Sequence, residues 1–503
     1  MKESHFLFPG LAALTLLPAA NNIIQNKAAR PNIIFIMADD LGYGDIGCYG
    51  QKYIKTPNID RLAEEGIRFI NHYSGAPVSA PARCCLMTGM NIGHSFVRDN
   101  FEIKGKSESE AGQMPLPENA ETVGRMMKRA GYVTGIIGKW GLGSISSTGA
   151  PNQQGFDFFY GYDDQNHAHN HYPSFLWRND KMEQLRNPAF SVHPKYDPSA
   201  VHDSLEYKKY VGTDYSLDLM TDEALRFISA NKKSPFFLYL TFVVPHKALQ
   251  VPDESLEMYK GVFDEKPYNG NQGYTPHPRP WSAYAAMITR MDLKIGTIMN
   301  ELKEAGLDKN TIVIFTSDNG PAGGGGTDAR FFNSSGGLRG MKGQVFEGGI
   351  KEPFVVRWPG KIKPGRVTDH ISAHYDLMAT LGDLTGQQVR NTDGISYLPI
   401  LVGRNKRQIR HEYLYWEFAS GGGQLAVRMG NWKGVKSNLS KDPDAEWAIY
   451  DLAADPAESK DLAEQHPELI KEFDEIINKR TPSHHEPWNF MKGNQKTNLS
   501  LGE

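Results

Sequence analysis

Residues 31–40 read Pro-Asn-Ile-Ile-Phe-Ile-Met-Ala-Asp-Asp, an unbroken apolar run that ends in two adjacent carboxylates. A run of this composition predicts a β-strand over Pro31–Ala38 that is buried on both faces, as the strands of parallel sheets are. A helix is predicted further on, over Thr56–Gly66, where Pro57 suits the first turn. A buried strand followed by a helix is typical of an α/β fold.

The same alternation continues and predicts one large α/β domain over residues 30–404, a mostly parallel sheet sandwiched by helices. Its other predicted strands are Tyr132–Ile137, Pro235–Val244, Thr311–Thr316 and Pro353–Val356, and its other predicted helices are Glu121–Ala130 and Ser282–Ala305. Near residue 405 the pattern changes, and a small antiparallel sheet with one helix is predicted over residues 405–485. Its elements are strands at Glu412–Phe418, Gln424–Met429, Trp432–Val435 and Trp447–Leu452 and a helix at Pro467–Lys479. A polar tail is expected over residues 486–503.

Polar or charged side chains follow four of the predicted strands, and in chain order they are Asp39 with Asp40, Lys139, His246, and Asp318 with Asn319. Because ligands of open α/β sheets bind at the carboxyl ends of strands, we expect these side chains to share one rim. Carboxylate and amide oxygens suit a hard cation such as Ca²⁺ or Mg²⁺. A single aspartate after a strand more often caps a helix or turn, but two such pairs favour the metal.

Residues 79–89 read Ser-Ala-Pro-Ala-Arg-Cys-Cys-Leu-Met-Thr-Gly. Pro81 suits the first turn of a helix, which would place Ser79 at the positive N-terminal end, where an anion is favoured. The stretch resembles the signature of type I sulfatases, Cys/Ser-x-Pro-Ser/Ala-Arg-x-x-x-Leu/Met-Thr-Gly. This resemblance covers about residues 30–460 and implies an alkaline-phosphatase-like fold and a sulfuric ester hydrolase. It also implies that Ser79 is oxidised to formylglycine, whose hydrated aldehyde attacks the sulfur.

The resemblance further assigns roles to individual residues. Those matching the ligands of one Ca²⁺ are Asp39, Asp40, Ser79, Asp318 and Asn319. Those matching the catalytic groups are Ser79, Arg83, Lys139, His246 and Lys342. Among these, His246 is expected to protonate the leaving group, and the two lysines are expected to contact sulfate.

One position departs from the family pattern. Residues 138–143 read Gly-Lys-Trp-Gly-Leu-Gly, so Gly141 stands where the family has a histidine that helps to expel sulfate. A histidine from another loop is the expected substitute, and the sequence does not choose among the candidates, which are His94, His167, His169 and His171.

The histidine-rich loop Asp163–Asp180 resembles loops of sulfatases that act on sulfated hexoses. Aromatic and histidine side chains suit a sugar ring, although such a loop can also pack its aromatic residues locally. The candidate substrate-binding residues are Asp99, Asn100, His169, His171 and Trp177. The resemblance favours exo-action on sulfated galactose or N-acetylgalactosamine, with the 6-O ester ahead of the 3-O ester.

Two alternative functions stay open. The first is a phosphomonoester or phosphonate hydrolase of the same superfamily that uses Ser79 unmodified. Such sites usually hold two transition metals with several histidine ligands, whereas the set here is made of oxygen donors. The second is a non-catalytic protein that binds sulfated glycans, in which glycine at position 141 is a sign that catalytic turnover has been lost.

The 503 residues carry a formal net charge of −3 and no basic run, so nucleic-acid binding is not expected. Residues 1–20 resemble a secretory signal, because Lys2 precedes an apolar run that is too short and too interrupted by proline for an integral membrane span. By the resemblance to sulfatases, serine rather than cysteine at position 79 implies maturation by a bacterial radical enzyme before export. A periplasmic or secreted location is therefore expected.

Overall fold

The computed structural model describes residues 30–103, 112–197 and 204–491, together with Met1. The predicted signal segment beyond Met1 and residues 492–503 of the predicted tail lie outside the described residues. The strands are β1 Asn32–Ala38, β2 Ile67–Tyr73, β3 Glu102–Ile103, β4 Gly112–Gln113, β5 Val133–Lys139, β6 Phe158–Tyr162, β7 Phe175–Arg178, β8 Lys181–Gln184, β9 Phe236–Thr241, β10 Thr311–Ser317, β11 Lys351–Arg357, β12 Arg366–Thr368, β13 Ser372–Ala373, β14 Leu414–Phe418, β15 Gln424–Met429, β16 Trp432–Lys436 and β17 Ala448–Asp451. The helices are α1 Pro57–Glu64, α2 Ser79–Thr88, α3 Val123–Arg129, α4 Ser204–Lys208, α5 Ser216–Asn231, α6 Asp253–Leu256, α7 Pro280–Glu304, α8 Glu347–Ile350, α9 Asp376–Thr385, α10 Leu398–Leu401 and α11 Pro467–Ile477.

The large sheet has the order β12-β2-β11-β10-β1-β9-β5-β6-β7-β8, with β13 beside β2. The central strands β10, β1, β9, β5 and β6 are parallel. Strand β1 pairs Ala38 with Ser317 of β10 and Met37 with Thr241 of β9. Four carboxyl ends therefore lie side by side at one edge of the sheet, as the sequence predicts.

Every residue of β1 is buried because helices cover both faces of the sheet. Ile34 and Ile36 point to an apolar core that includes residues of α5 and α7. Ile33, Phe35 and Met37 point to the opposite core, with residues of α2, α3 and α9. This three-layer arrangement confirms the predicted α/β architecture.

The small sheet is antiparallel, with the order β14-β15-β16-β17. Helix α11 packs on it through Leu469, Phe473 and Ile476. The same apolar cluster contains Val78, directly before α2, and Trp416 of β14 donates its indole N–H to the carbonyl of Ser74 at 2.8 Å. The C-terminal sheet is thus seated against the segment that leads into Ser79.

Two features of the large sheet differ from a simple parallel arrangement. Strand β11, predicted as Pro353–Val356, runs antiparallel between β10 and β2. Strands β2, β6, β7 and β8 have no counterpart among the predicted strands; β6 belongs to the parallel centre, and the other three extend the sheet on both sides of it. In the stretch predicted to be a polar tail, Trp488 is buried and belongs to one of the cores of the large domain.

Candidate active site

Ser79 begins α2 and is fully buried at the carboxyl edge of the large sheet. Val78 before it is extended, and Pro81 lies in the first turn, which needs no N–H from that position. The Asn100 side chain accepts the N–H of Ala80 at 2.8 Å and so satisfies one free donor of the helix start. The Ser79 hydroxyl lies 3.1 Å from Asp39 Oδ1 and 3.3 Å from Asn319 Oδ1.

The carboxylates that follow β1 and β10 interlock through hydrogen bonds. Asp40 has a φ of 64°, and its N–H donates to Asp318 Oδ1 at 3.1 Å. Asn319 donates its Nδ2 to Asp40 Oδ1 at 2.8 Å, which leaves its Oδ1 facing Ser79. Ligand atoms of Asp39, Asp40 and His246 lie within 4.8 Å of one another, so this acidic group can hold a metal. A donor set dominated by oxygen fits a hard cation.

Three cations face these carboxylates, of which Arg83 and Lys139 are buried and Lys342 is partly buried. Lys139 Nζ lies 2.7 Å from Asp39 Oδ2, and Lys342 Nζ lies 2.8 Å from Asp40. Arg83 donates from Nε and Nη2 to Asp318 Oδ2, at 3.2 and 2.8 Å. The pairing offsets the cost of removing these charges from water.

The lysines differ in their electrostatics. Burial lowers the pKa of Lys139, although Asp39 opposes the shift. Burial also disfavours the charged form of Lys342, but the attraction of Asp40 and Asp39 is larger and raises its pKa. Lys342 therefore carries its proton at neutral pH and can bind an anion, and the Nζ of Lys139 is paired with Asp39.

His246 follows β9 and is buried beside Lys342. Its Nε2 lies 3.2 Å from Lys342 Nζ and 3.5 Å from Asp40 Oδ2. Burial, followed by the charges of Lys342, His169 and Lys139, holds the pKa of His246 well below its ordinary value. The imidazole is therefore neutral, and its Nε2 accepts a hydrogen bond from the ammonium group.

A cavity of about 420 Å³ opens above this cluster. Its lining residues are Asn100, Glu102, Gln113, Gln165, Asn166, His169, His246, Tyr274 and Lys342. Five of them, namely Glu102, Gln113, Gln165, Asn166 and Tyr274, are absent from the sequence-based candidates. They lie on loops and short strands, where a polar residue has no signature of its own in the sequence.

The candidate substrate residues fall into two groups. His169 and Asn100 line the cavity, and His169 stacks on His246 at a centroid separation of 4.4 Å. Asp99, His171 and Trp177 do not line it. Asp99 accepts the Ser420 hydroxyl, and His171 Nε2 lies 2.8 Å from the carbonyl oxygen of His246.

Trp177 lies in β7, where it is half-buried and packs at the edge of one apolar core. His171 therefore supports His246, and Asp99 supports Asn100 by accepting its N–H at 2.7 Å, whereas Trp177 stabilises the outer part of the sheet.

Gly141 has a φ of 76°, a conformation that favours glycine. The side-chain amide of Gln165 occupies the space that a Cβ atom at this position would enter. Among the four candidate substitutes for a histidine here, His169 lines the cavity. His94 is paired with Asp393 at 2.9 Å, and His167 packs against Tyr162 and Phe175.

Across residues 30–103, 112–197 and 204–491, none of the helices combines the length and the apolar composition that a bilayer span requires.

Comparison with known proteins shows which family this chain resembles. The sulfatase family model matches residues 31–387, and the model for the C-terminal region of N-sulphoglucosamine sulphohydrolase matches residues 341–482. An N-acetylgalactosamine-6-O-sulfatase of Bacteroides thetaiotaomicron is 30% identical, with 95% of this chain and 99% of the relative covered. Arylsulfatase A of Bos taurus is 32% identical, with 92% and 88% covered.

A similar solved structure is that of Ps i-CgsB in complex with k-i-k-neocarrahexaose. It superposes with a TM-score of 0.72 at 26% identity and covers 90% of this chain and 94% of its own. Because the sulfatase model spans most of the chain and the relatives align over nearly their full length, this chain belongs to the sulfatase family and is a sulfuric ester hydrolase.

Proposed function

We propose that this sulfatase removes a sulfate ester from a terminal galactose or N-acetylgalactosamine of a glycan, with the 6-O ester preferred over the 3-O ester. The name and the near-complete alignment of the Bacteroides thetaiotaomicron relative support an N-acetylgalactosamine 6-sulfate. The cavity supports a carbohydrate, because its walls carry amide, carboxylate, imidazole and phenol groups that can bind hydroxyl groups. Its volume is within the range of small-molecule sites.

The observation that carries the proposal is the position of Ser79. Its hydroxyl lies between Asp39 and Asn319 at the start of a helix, in the carboxylate cluster that Arg83, Lys139 and Lys342 face. We propose that a radical maturase oxidises Ser79 to formylglycine. This group would supply a hydrated aldehyde as the nucleophile.

We also propose that Asp39, Asp40, Asp318, Asn319 and residue 79 hold one Ca²⁺. The ion would supply positive charge beside the sulfate oxygens. The oxygen donors fit such an ion, and the ammonium groups of Lys139 and Lys342, which now face these carboxylates, are available to sulfate once the carboxylates face a cation.

The side chains of the chain itself then have distinct tasks. Lys139 and Lys342 donate to the sulfate oxygens, whose negative charge repels a nucleophile. Arg83 fixes Asp318 through two donors, and it also bonds the main-chain oxygen of Lys139 at 2.9 Å. Arg83 therefore fixes the position of Asp318, a proposed metal ligand, relative to that of Lys139, a proposed sulfate ligand.

His246 is the proposed proton donor to the departing sugar oxygen. It is neutral beside Lys342 in this structure, and a sulfate anion between the two groups would favour its protonated form. His171 positions it through the 2.8 Å contact with its carbonyl oxygen. Protonation of the leaving oxygen matters because an alkoxide departs far less readily than an alcohol.

We also propose that the enzyme is secreted or periplasmic and that residues 1–20 are its export signal. Residues 30–404 would form the catalytic domain and residues 405–485 the C-terminal subdomain.

The test is sulfate release from defined sugars by protein co-expressed with a radical maturase. Substrates are N-acetylgalactosamine 6-sulfate, galactose 6-sulfate, galactose 3-sulfate and a sugar phosphate. Mass spectrometry of the peptide containing residue 79 should show the loss of about two hydrogens that marks oxidation of serine to the aldehyde.

Sulfate release from a 6-sulfated sugar, abolished in Ser79→Ala, is the expected result. Turnover of the phosphate alone, with unmodified Ser79, would favour the phosphohydrolase alternative. Binding of the sulfated sugars without turnover by oxidised protein would favour the non-catalytic alternative.

A further inference from the structure

The main chain around Lys342 is held by two neighbouring segments of the site. The Lys342 N–H donates to the Pro321 carbonyl at 3.0 Å, shortly after Asn319. The Gly343 N–H donates to the Pro77 carbonyl at 2.8 Å, two residues before Ser79. Residues 342–345 are therefore bonded to both the acidic segment and the segment that leads into α2.

A third contact comes from the C-terminal sheet. Gln424, the first residue of β15, donates its Nε2 to the Gly343 carbonyl at 2.9 Å. Its Oε1 accepts the Val345 N–H at 3.2 Å. One side-chain amide thus satisfies both main-chain groups on either side of Gln344, and it does so while 7% exposed.

Gln424 is itself well fixed. Its backbone pairs with Phe418 of β14, and β15 is flanked on its other side by β16. Loss of its amide would leave the partly buried carbonyl of Gly343 and the buried N–H of Val345 without these partners, which a folded chain avoids by shifting. Because β15 is hydrogen-bonded on both edges, the adjustment would fall on loop residues 343–345 and strain the bonds that hold Lys342 and Gly343 to Pro321 and Pro77.

The ammonium group of Lys342 depends on that loop. It lies 2.8 Å from Asp40 and 3.2 Å from His246 Nε2, at the floor of the cavity. Because the ammonium group is held between Asp40 and His246, a displaced main chain would force the four-carbon stem to rotate away from its present torsion angles. A shift of a few tenths of an ångström or more would weaken its contact with an anion.

We propose that Gln424 is a positioning residue for Lys342, so that the C-terminal sheet takes part in binding the sulfate group. The inference rests on the proposed function for the role of Lys342, and its geometry rests on the contacts of Gln424 alone. Loss of the amide should weaken binding of the sulfate group in the ground state and the transition state alike, which raises KM and leaves kcat largely unchanged.

The test variant is Gln424→Met, which keeps the volume and removes the amide. We expect KM for the sulfated sugar to rise about tenfold, and the Kd for inorganic sulfate, measured by calorimetry, to rise by a similar factor. The change in kcat should stay within about threefold.

The matched control is Gln408→Met. Gln408 also donates its amide to main-chain oxygens, those of Ser396 and Ile409, and within the described part of the chain these bonds do not involve residues 342–345. Its KM and sulfate Kd should remain at the wild-type values. If Gln424→Met does not fold, Gln424→Glu keeps the acceptor for Val345 but sets a carboxylate oxygen against the Gly343 carbonyl, so the sulfate Kd should rise by at least the same factor.

Wild-type KM and sulfate Kd in the Gln424 variants would overturn the inference. Equal effects of the Gln424 and Gln408 substitutions on KM would do the same, since they would show only general destabilisation. If wild-type protein releases sulfate from no ester while Gln424→Met still weakens sulfate binding, the proposed function fails and the positioning role stands.

Discussion

The side-chain amide of Gln165 covers Gly141 and fills the space that a Cβ atom on that residue would enter. Gly141 also has a φ of 76°, where residues with a side chain are strained. Position 141 therefore cannot accept the histidine of the family pattern while Gln165 stays in place.

Gly141→Ala should lower the free energy of unfolding by about 1–3 kcal/mol, because it combines backbone strain with a clash against Gln165. The double variant Gly141→Ala/Gln165→Ala should regain the part of the lost free energy of unfolding that the clash causes. Denaturant unfolding of both single variants and the double variant measures the coupling. Strict additivity of the two changes would show that the amide does not exclude a side chain at position 141.

Arg83→Lys should reduce the rate of sulfate release by about 100-fold or more, although the charge is kept. Lysine cannot bond Asp318 twice and also reach the carbonyl of Lys139, so both neighbours lose their fixed positions. Initial rates on a 6-sulfated sugar measure the effect. Arg129→Lys, at an exposed pair with Glu121, is the matched control and should keep wild-type rates.

Calcium should raise the melting temperature of the protein, and chelation should lower it again. Asp39, Asp40 and Asp318 converge in the folded chain but are far apart in the sequence, so the ion binds the native state preferentially. At a free Ca²⁺ concentration of 100 Kd, the expected stabilisation is about 2.7 kcal/mol. Calorimetric scans with calcium, with magnesium and with chelator measure it, and identical melting temperatures in all three would contradict the proposed ligand set.

Lys433→Met should destabilise the protein by about 3–5 kcal/mol at neutral pH. Lys433 is fully buried between Glu347 and Glu458, at 3.0 and 2.9 Å, and its loss would leave two buried carboxylates facing each other. Burial raises the pKa of Glu458, whereas Lys433 lowers it, so the variant should show a still higher value.

The stability lost in Lys433→Met should depend on pH in a definite direction. A carboxyl group whose pKa is higher in the folded state binds its proton more tightly there, so stability falls as pH rises through the folded pKa. The difference in the free energy of unfolding between wild type and Lys433→Met should therefore become smaller as the pH is lowered from 7 towards 5. Denaturant unfolding at these two values tests it, and a deficit that grows on acidification would contradict the assignment.

The centre of the sheet could be predicted because its strands are unbroken apolar runs that end in charged residues, as Asn32–Ala38 shows. Strand β2 is harder to predict, since Arg68, Asn71 and His72 interrupt its apolar residues. The direction of β11 depends on its pairing with β10, which no local pattern encodes.

Prediction of the candidate site from the sequence has the same limit, because part of the site depends on tertiary contacts. Asp39, Asp318 and His246 follow recognisable strands, and the structure brings them to one edge. Gln113, Gln165 and Tyr274 reach the cavity from separate loops or short strands, and a polar residue in such a segment has the same local sequence whether it faces solvent or substrate. Only the tertiary structure distinguishes the two.

The complete burial of Ser79 sets an order of events in biosynthesis. Once α2 has docked beneath the C-terminal sheet, an external enzyme has no path to that hydroxyl. The proposed oxidation of residue 79 would therefore have to take place on the nascent or still extended polypeptide, and protein that folds first would keep serine at this position.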